Sequence, residues 1–232
     1  MSVSIPSNNA AFTSSNGGVG GAIVADISYA LPGDLCTIEV WMTATSSPIL
    51  TTPAGWALVG SYISPASGGQ STYNWLYSRI FQTGDPTTVN IVRTGTVGYA
   101  CHTVGYRSTV RFDANSIYGY TNASAGAGVA SLSLSTVTNI AGELLSSGFN
   151  GTKSNNSGIG ITGTGWTLLS SRAWNTDTFS REMAAYKTAA GNTTLTYTYT
   201  STTSNTIVCA LFCIHVRDGV PVATGAQLFC EA

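Results

Sequence analysis

Apolar and polar residues alternate with a period of two along much of this chain, and no stretch sustains a helical period. Between residues 193 and 200, leucine and tyrosine alternate with threonine. Between residues 37 and 43, isoleucine, valine and methionine alternate with Thr37, Glu39 and Trp41. A period of two is typical of a strand with one buried face. Glu39 is therefore expected to face solvent.

The run at residues 207–216 is apolar at nearly every position, which is typical of a central strand buried on both faces. Turn-forming residues recur roughly every ten positions, as they do between the short strands of all-β proteins. The pattern therefore predicts an all-β fold, a jelly-roll-like β-sandwich. Its other predicted strands span residues 22–27, 37–43, 55–62, 73–81, 89–92, 99–107, 129–137, 181–190 and 193–200.

One short sequence occurs twice, about 110 residues apart, and an echo of this kind indicates an internal repeat. The first copy reads Pro-Ala-Gly-Trp-Ala-Leu-Val and the second reads Gly-Thr-Gly-Trp-Thr-Leu-Leu. Gly55 and Gly165 are expected to form turns, because glycine tolerates a positive φ. Trp56 and Trp166 then have a large apolar ring to bury. These four residues are the predicted structural anchors of the repeat.

The flanking sequences repeat in the same order, which predicts two pseudo-repeated halves. A segment rich in Ser, Asn and Gly cannot bury much surface and favours an arm or loop. The predicted organisation is an N-terminal arm at 1–21, a β-sandwich at 22–217 with half-repeats at about 30–107 and 129–217 and a connector at 108–128, and a C-terminal tail at 218–232.

Composition narrows the range of partners. Only 8% of the 232 residues are charged and the net charge is −1, against about 25% charged residues in an average domain. A basic surface for nucleic acid is missing, and no apolar run reaches the roughly 20 residues of a spanning helix. No signal peptide is visible. We therefore expect no nucleic-acid partner, no membrane association, and a protein that is made in the cytoplasm and stays there or leaves inside an assembled particle.

The five cysteines favour buried free thiols over disulfides or a metal site. Their number is odd and their spacing is wide and irregular, which makes a poor disulfide framework. A CxxC pair is missing, and His215 is a weak fourth ligand for zinc. Buried cysteines pack as small apolar side chains. The five are Cys36, Cys101, Cys209, Cys213 and Cys230.

The ordered motifs resemble those of two-fold repeated β-sandwich proteins found among bacteriophage virion proteins and bacterial surface proteins. Members combine a Gly-Asp-Leu strand, a Pro-x-Gly-Trp-Thr-Leu turn, a basic strand ending in Gly-Asp, and a closing strand with Tyr-Arg. The second half departs from this pattern at Glu143, Gly163 and Asn192. The resemblance covers about residues 30–216. It implies a fold and a location in a phage particle more than it implies a specific biochemical function. In the first half it rests on Gly33-Asp34-Leu35, Pro53-Ala54-Gly55-Trp56-Ala57-Leu58, Arg79 with Gly84-Asp85, Tyr106-Arg107 and Phe112-Asp113.

Groups for catalysis are sparse. His102 and His215 both lie in apolar closing strands and are expected to be core or interface histidines. The Gly-x-Ser-x-Gly sequence of a nucleophile elbow is missing. Asp34, Asp85 and Glu143 occupy turns, where capping of backbone N–H groups accounts for them. We expect no enzyme activity, no metal and no cofactor; a glycoside hydrolase, which needs two facing carboxylates, is the third and weakest hypothesis.

One set of aromatic and charged residues suits a ligand surface or a partner surface. Aromatic rings beside Asp and Arg are typical of a sugar-binding face, although the same aromatics could alternate into the core. The candidate residues are Tyr73, Trp75, Trp174, Asp177 and Arg181.

The leading hypothesis is a non-enzymatic structural protein on the exterior of a bacteriophage virion. It would be a capsid decoration or cement protein, or a tail appendage, assembled in the host cytoplasm. Its expected partners are the major capsid or tail proteins and further copies of itself. The alternative is a carbohydrate-binding module that recognises host surface glycans.

Overall fold

A computed structural model of the chain describes residues 3–15, 21–63, 71–94, 98–125, 131–137, 144–152, 156–162, 165–173, 180–188, 192–201 and 208–219. Every regular element within these ranges is a β-strand. The strands are β1 (Ala10–Ser15), β2 (Ile23–Asp26), β3 (Leu35–Ala44), β4 (Ala57–Ile63), β5 (Ser71–Ile80), β6 (Thr88–Ile91), β7 (Tyr99–Tyr106), β8 (Ile117–Ala125), β9 (Ser131–Val137), β10 (Leu144–Thr152), β11 (Asn156–Thr162), β12 (Thr167–Ala173), β13 (Ser180–Thr188), β14 (Asn192–Ser201) and β15 (Val208–Val216).

The strands form antiparallel sheets, which confirms the all-β prediction and is consistent with a β-sandwich. One five-stranded sheet has the order β1-β7-β3-β5-β4, and the other has the order β12-β13-β10-β15-β8. A two-stranded sheet, β2-β6, and a three-stranded sheet, β11-β14-β9, complete the described part. The jelly-roll connectivity, the domain boundaries and the two-fold repeat stay predictions. Within the same residue ranges, no helix has the length and apolar character to cross a membrane.

Strand β3 is buried on both faces because it lies between two cores. One face carries Cys36, Ile38, Val40 and Met42, which pack against the small β2-β6 sheet. The other face carries Leu35 and Trp41, which pack against residues of the second five-stranded sheet. Burial of each large apolar side chain stabilises the fold by about 1.5–3 kcal/mol, so both layers contribute to holding this strand in the interior.

The second core joins the two five-stranded sheets face to face. Trp41 stacks on Phe212 of β15 with ring centroids 6.1 Å apart, and Tyr120 of β8 stacks on the same ring at 5.9 Å. The Tyr106 hydroxyl donates a hydrogen bond of 2.8 Å to Ser146 Oγ of β10, or accepts one from it. The first and second halves of the chain therefore share one interior.

The polar face of β3 differs from its prediction. The alternation predicts Glu39 in solvent, but only 4% of it is exposed, because the second five-stranded sheet covers that face. The period-two pattern shows which residues share a face. It does not show whether another sheet covers the more polar one.

The N-terminal segment also differs from its prediction. The arm expected at 1–21 includes strand β1, which pairs antiparallel with β7 from Ala10↔Val104 to Ser15↔Tyr99. Val3 is buried in the second core. Backbone pairing along a sheet edge tolerates small and polar side chains, so composition alone gives no sign of this strand.

The connector predicted at 108–128 contains strand β8, which pairs with β15. This pairing places β15 between β10 and β8, in agreement with the central strand predicted at 207–216. Strand predictions for β9 and β13 are likewise confirmed. The tail predicted at 218–232 lies outside the described residues from position 220 onward.

The two Gly-Trp segments begin edge strands with similar local geometry. Gly55 has a φ of +78° and Gly165 has a φ of +85°. Each precedes an edge strand whose register shifts at the same relative place, between Leu58 and Gly60 in β4 and between Leu168 and Ser170 in β12. A β-bulge at a sheet edge hinders further strand pairing, so both edges are protected in the same way.

Candidate functional site

The predicted ligand surface is only partly brought together. Tyr73 and Trp75 lie on one face of β5 with ring centroids 6.0 Å apart. Tyr73 is buried, and Trp75 is partly buried against the first core. The tyrosine is therefore a core residue and offers little surface to a ligand.

Of the other three candidates, the structure describes only the backbone of Arg181. Trp174 and Asp177 lie outside the described residues. For Arg181 the backbone is described, and it pairs with Gly151 of β10 and Ala173 of β12. A shared surface of all five residues stays a prediction.

The turn before β4 is held by an arginine from β5. Trp56 N donates a hydrogen bond of 3.0 Å to the Pro53 carbonyl, which closes the turn. The Trp56 ring is buried in the first core. Arg79 Nη1 donates to the Ala54 carbonyl at 3.3 Å, so its guanidinium lies under the turn where Gly55 has no side chain.

The same arginine forms a two-point ion pair with Asp85. Arg79 Nη2 and Nε lie 2.5 Å and 3.0 Å from the two carboxylate oxygens. Asp85 Oδ2 also accepts a hydrogen bond of 2.8 Å from Gln82 N, as expected for an acid that caps a turn. A fork-to-fork pair of this kind is stronger and more specific in direction than a single ion pair. It ties the end of β5 to the turn at residues 82–85, which leads towards β6.

A second ion pair joins the residue before β3 to the residue after β7. Arg107 Nε and Nη2 donate to Asp34 at 2.9 Å and 2.6 Å, and Leu31 N donates to the same carboxylate at 3.0 Å. The Asp34 side chain is 4% exposed. The paired Asp34 carboxylate raises the pKa of Arg107, through its hydrogen bonds and its charge.

Two open clefts flank Arg79. One of about 400 Å³ is lined by apolar residues of the turn together with Trp56, Asp85 and Asn90. The other, of about 630 Å³, is lined by Leu58, Ile80 and other side chains, with Asp113 from the segment before β8. Both volumes suit a small ligand. Arg79, the charged residue that lines both clefts, is already paired with Asp85.

A cluster of polar residues between the two large sheets was missed by the sequence analysis. Glu39 of β3 lies opposite His102 of β7 in the strand register, and His102 Nδ1 is 4.0 Å from Glu39 Oε2. Trp41 Nε1 donates a hydrogen bond to Glu39 Oε1. Burial raises the pKa of Glu39 well above its ordinary value, and the Trp41 hydrogen bond opposes this rise.

Gly148 of β10 leaves the space that the Glu39 carboxylate occupies. A Cβ atom at position 148 would overlap both carboxylate oxygens. Gly148 follows the start of β10 at Leu144 by the same number of positions as Glu39 follows the start of β3 at Leu35. The sequence contained one indication of this contact, because a glycine inside a strand often marks the close approach of another group.

Both histidines are buried, as expected of core or interface residues. His215 faces Tyr118, with ring centroids 5.2 Å apart. Cys36, Cys101 and Cys213 are buried thiols outside any disulfide, as predicted. Burial raises the pKa of Cys36 to about 12, with Asp34 and Asp85 adding to the effect.

In the described ranges, no group of three or more His, Cys, Asp and Glu side chains is placed to hold a metal ion. Comparison with known protein families, curated proteins and solved structures finds no match to this chain.

Gly55 provides a first test of the turn. We expect Gly55→Ala to destabilise the protein by about 2–3 kcal/mol, because an alanine costs about 1–2 kcal/mol at a positive φ and its Cβ would overlap the Arg79 guanidinium. Urea unfolding followed by tryptophan fluorescence measures this cost.

Gly84→Ala is the matched control. Gly84 also has a positive φ of +87°, but a Cβ there meets nothing within 4 Å. It should cost only about 1–2 kcal/mol. Equal costs for the two variants would show that Arg79 does not restrict the turn.

Proposed function

We propose that this chain is a non-enzymatic structural protein of a bacteriophage particle, either a capsid decoration or cement protein or a tail appendage. One observation carries the proposal. The acids and arginines of the motifs that resemble virion proteins, Asp34, Arg79, Asp85 and Arg107, are joined to each other in ion pairs that hold turns and strand ends. Charged groups used in this way serve the rigidity of the fold.

The shared interior supports a mechanical role. Two five-stranded sheets pack face to face, and the polar groups between them are enclosed. A body of this kind resists deformation because its core is closely packed. An enzyme would instead need positioned groups that a substrate can reach.

Contacts with partners would use exposed apolar side chains. Ile49 and Val92 are 64% and 59% exposed and lie on adjacent segments, since Thr51 N donates to the Val92 carbonyl at 2.9 Å. On β4, Leu58 and Ile63 are also about half exposed. Exposed apolar groups of this kind are used in protein contacts. We propose that they bind major capsid or tail proteins, or further copies of this chain, on the virion exterior.

The internal repeat belongs to the same proposal. The order β1-β7-β3-β5-β4 corresponds to β8-β15-β10-β13-β12 when β1, from the predicted arm, is matched to β8, from the predicted connector. The bulges in β4 and β12 fall in matching places. We propose that the halves are related by a pseudo-two-fold arrangement, which gives a compact body two similar outer surfaces.

The test is to find the protein on particles. Phage particles from cells that carry this gene would be purified on a density gradient and studied by mass spectrometry and cryo-electron microscopy. We expect the chain at fixed stoichiometry, with β-sheet density on the outside of the head or tail. If it stays in the soluble fraction, with a host cytoplasmic enzyme as the contamination control, the proposal is wrong.

The cleft beside Trp56 favours a second candidate function, a carbohydrate-binding module. Its lining combines Trp56, the Arg79–Asp85 pair and the exposed Asn90. Carboxylate, guanidinium and amide groups hydrogen-bond to sugar hydroxyls. A glycan array with the wild type, Asn90→Ala and Trp174→Ala distinguishes the two places. Loss of glycan binding in Asn90→Ala alone would place a ligand in the cleft, and loss in Trp174→Ala alone would place it at the sequence-predicted surface.

A further inference from the structure

Glu39 and His102 form an enclosed pair of titratable groups at the contact between the two five-stranded sheets. Glu39 is 4% exposed and His102 is 1% exposed. They are cross-strand neighbours on β3 and β7, with Nδ1 and Oε2 4.0 Å apart. A cavity of about 10 Å³ touches both side chains, which is close to the space that one water molecule needs.

The groups that face Glu39 from neighbouring strands are nearly all uncharged. Strand β7 contributes His102 and Tyr106, and β8 contributes Tyr120; the Glu39 charge contributes to a raised pKa at both tyrosines, although burial is the main cause. Strand β10 contributes Gly148. Among the described residues, the ion pairs give Glu39 no lysine or arginine partner.

A carboxylate in this position is removed from bulk solvent, and among the described residues it gains the Trp41 hydrogen bond and a histidine at 4.0 Å. Removing an ionised group from water without full compensation is costly, and such groups take up a proton instead. The neutral acid, in contrast, fits the space beside Gly148 without a buried net charge.

We propose that Glu39 and His102 hold one exchangeable proton between the two five-stranded sheets, and that loss of this proton loosens the contact between them. With the proton on Glu39, both side chains are neutral. Transfer from Oε2 to Nδ1 through one water molecule that bridges the 4.0 Å gap gives an ion pair and keeps the total charge at zero. Release of the proton to solvent leaves a buried net negative charge beside Phe212 and Gly148. The proposal does not depend on a virion role.

The direction of the pH dependence follows from the raised pKa of Glu39. In the unfolded chain this group has a pKa of about 4.3. Above that pH the folded protein binds more protons at Glu39 than the unfolded chain does, so the stability that Glu39 contributes falls as pH rises. This contribution is fully present below about pH 4.3 and is lost as pH rises through the folded-state pKa.

The experiment compares the full-length wild type with Glu39→Gln, which keeps the shape of the side chain and cannot titrate. Urea unfolding is measured from pH 4 to pH 9. We expect the ratio of the two unfolding constants to change by up to about tenfold per pH unit above pH 4.3, with the wild type losing stability faster. A ratio that stays constant across this range would overturn the proposal.

Two further variants test whether His102 shares the proton with Glu39. In His102→Gln no imidazole can share the proton, so the Glu39-dependent loss of stability should be complete at a lower pH than in the wild type. His215→Gln, which changes the other buried histidine, should leave the Glu39-dependent change in place. If His102→Gln and His215→Gln have the same profile, His102 does not share the proton.

Infrared spectroscopy of the wild type supplies a measurement that needs no variant to fold. With ¹³C-labelled glutamate, a protonated carboxyl absorption is expected at pH 7, when exposed glutamates are ionised. The carboxyl absorption should disappear as pH rises. Over the same pH range, amide hydrogen exchange in β3 and β10, corrected for intrinsic rates, should increase. Complete ionisation of glutamate at pH 7 together with a neutral His102 imidazole would contradict the proposal.

Discussion

Gly148→Ala is expected to destabilise the protein by about 3 kcal/mol. The added Cβ would overlap the Glu39 carboxylate. Glu39 cannot move away easily, because both groups lie between packed sheets and Trp41 donates a hydrogen bond to the carboxyl group. Overpacking of a core costs about 1–3 kcal/mol, and loss of a buried hydrogen bond adds about 1 kcal/mol. Urea unfolding at constant pH measures the change.

A double-mutant cycle with Glu39→Ala shows whether the cost comes from this contact. Shortening Glu39 removes the overlap, so Glu39→Ala/Gly148→Ala should be more stable than the sum of the two single changes predicts. An interaction of about 1–3 kcal/mol is expected for residues in direct contact. Additive costs would mean that Gly148 is required for another reason.

Arg107→Ala is expected to cost about 2 kcal/mol. Asp34 is almost fully buried and would lose two of its three donors, keeping only Leu31 N. Leaving a buried carboxylate without its partner costs about 3–5 kcal/mol, and water at the partly exposed Arg107 position offsets part of this. Arg107→Lys should have an intermediate cost, because it keeps the charge and loses the fork geometry.

Arg217→Ala is the matched control in the second half of the chain. Arg217 also follows a closing strand, but its guanidinium lies over the Tyr118 ring at 4.6 Å and Nε donates to the Asn115 carbonyl at 3.4 Å. Loss of these exposed contacts should cost about 1 kcal/mol or less. Equal unfolding free energies for Arg107→Ala and Arg217→Ala would show that the Asp34 pair contributes nothing special.

The sequence predicts most strands because alternation is a local property of the chain. Strands β3, β5 and β14 and the burial of β15 between two neighbours follow from it. Strand β1 does not, because its pairing with β7 depends on residues far away in the sequence and its own residues are small and polar. Strand β8 falls within the predicted connector for the same reason.

Burial of the polar cluster also depends on packing between sheets. Nothing near Glu39 in the sequence shows that Gly148 and Phe212 will cover it. The roles of the acids in turns were easier to predict from the sequence. Asp34 and Asp85 both accept hydrogen bonds from backbone N–H groups, as their positions in turns implied. Their arginine partners, Arg107 and Arg79, became evident only from the fold.

The pairing of β1 with β7 has a consequence for synthesis on the ribosome. Residues 10–15 leave the exit tunnel before the rest of this sheet, yet their hydrogen-bonding partners at 99–104 are made about 90 residues later, a delay of roughly 5–20 s at common translation rates. During that interval β1 lacks the strand with which it pairs. We therefore expect β3, β4 and β5 to pair before β1, so that the first strand of this sheet to be made is among the last to dock.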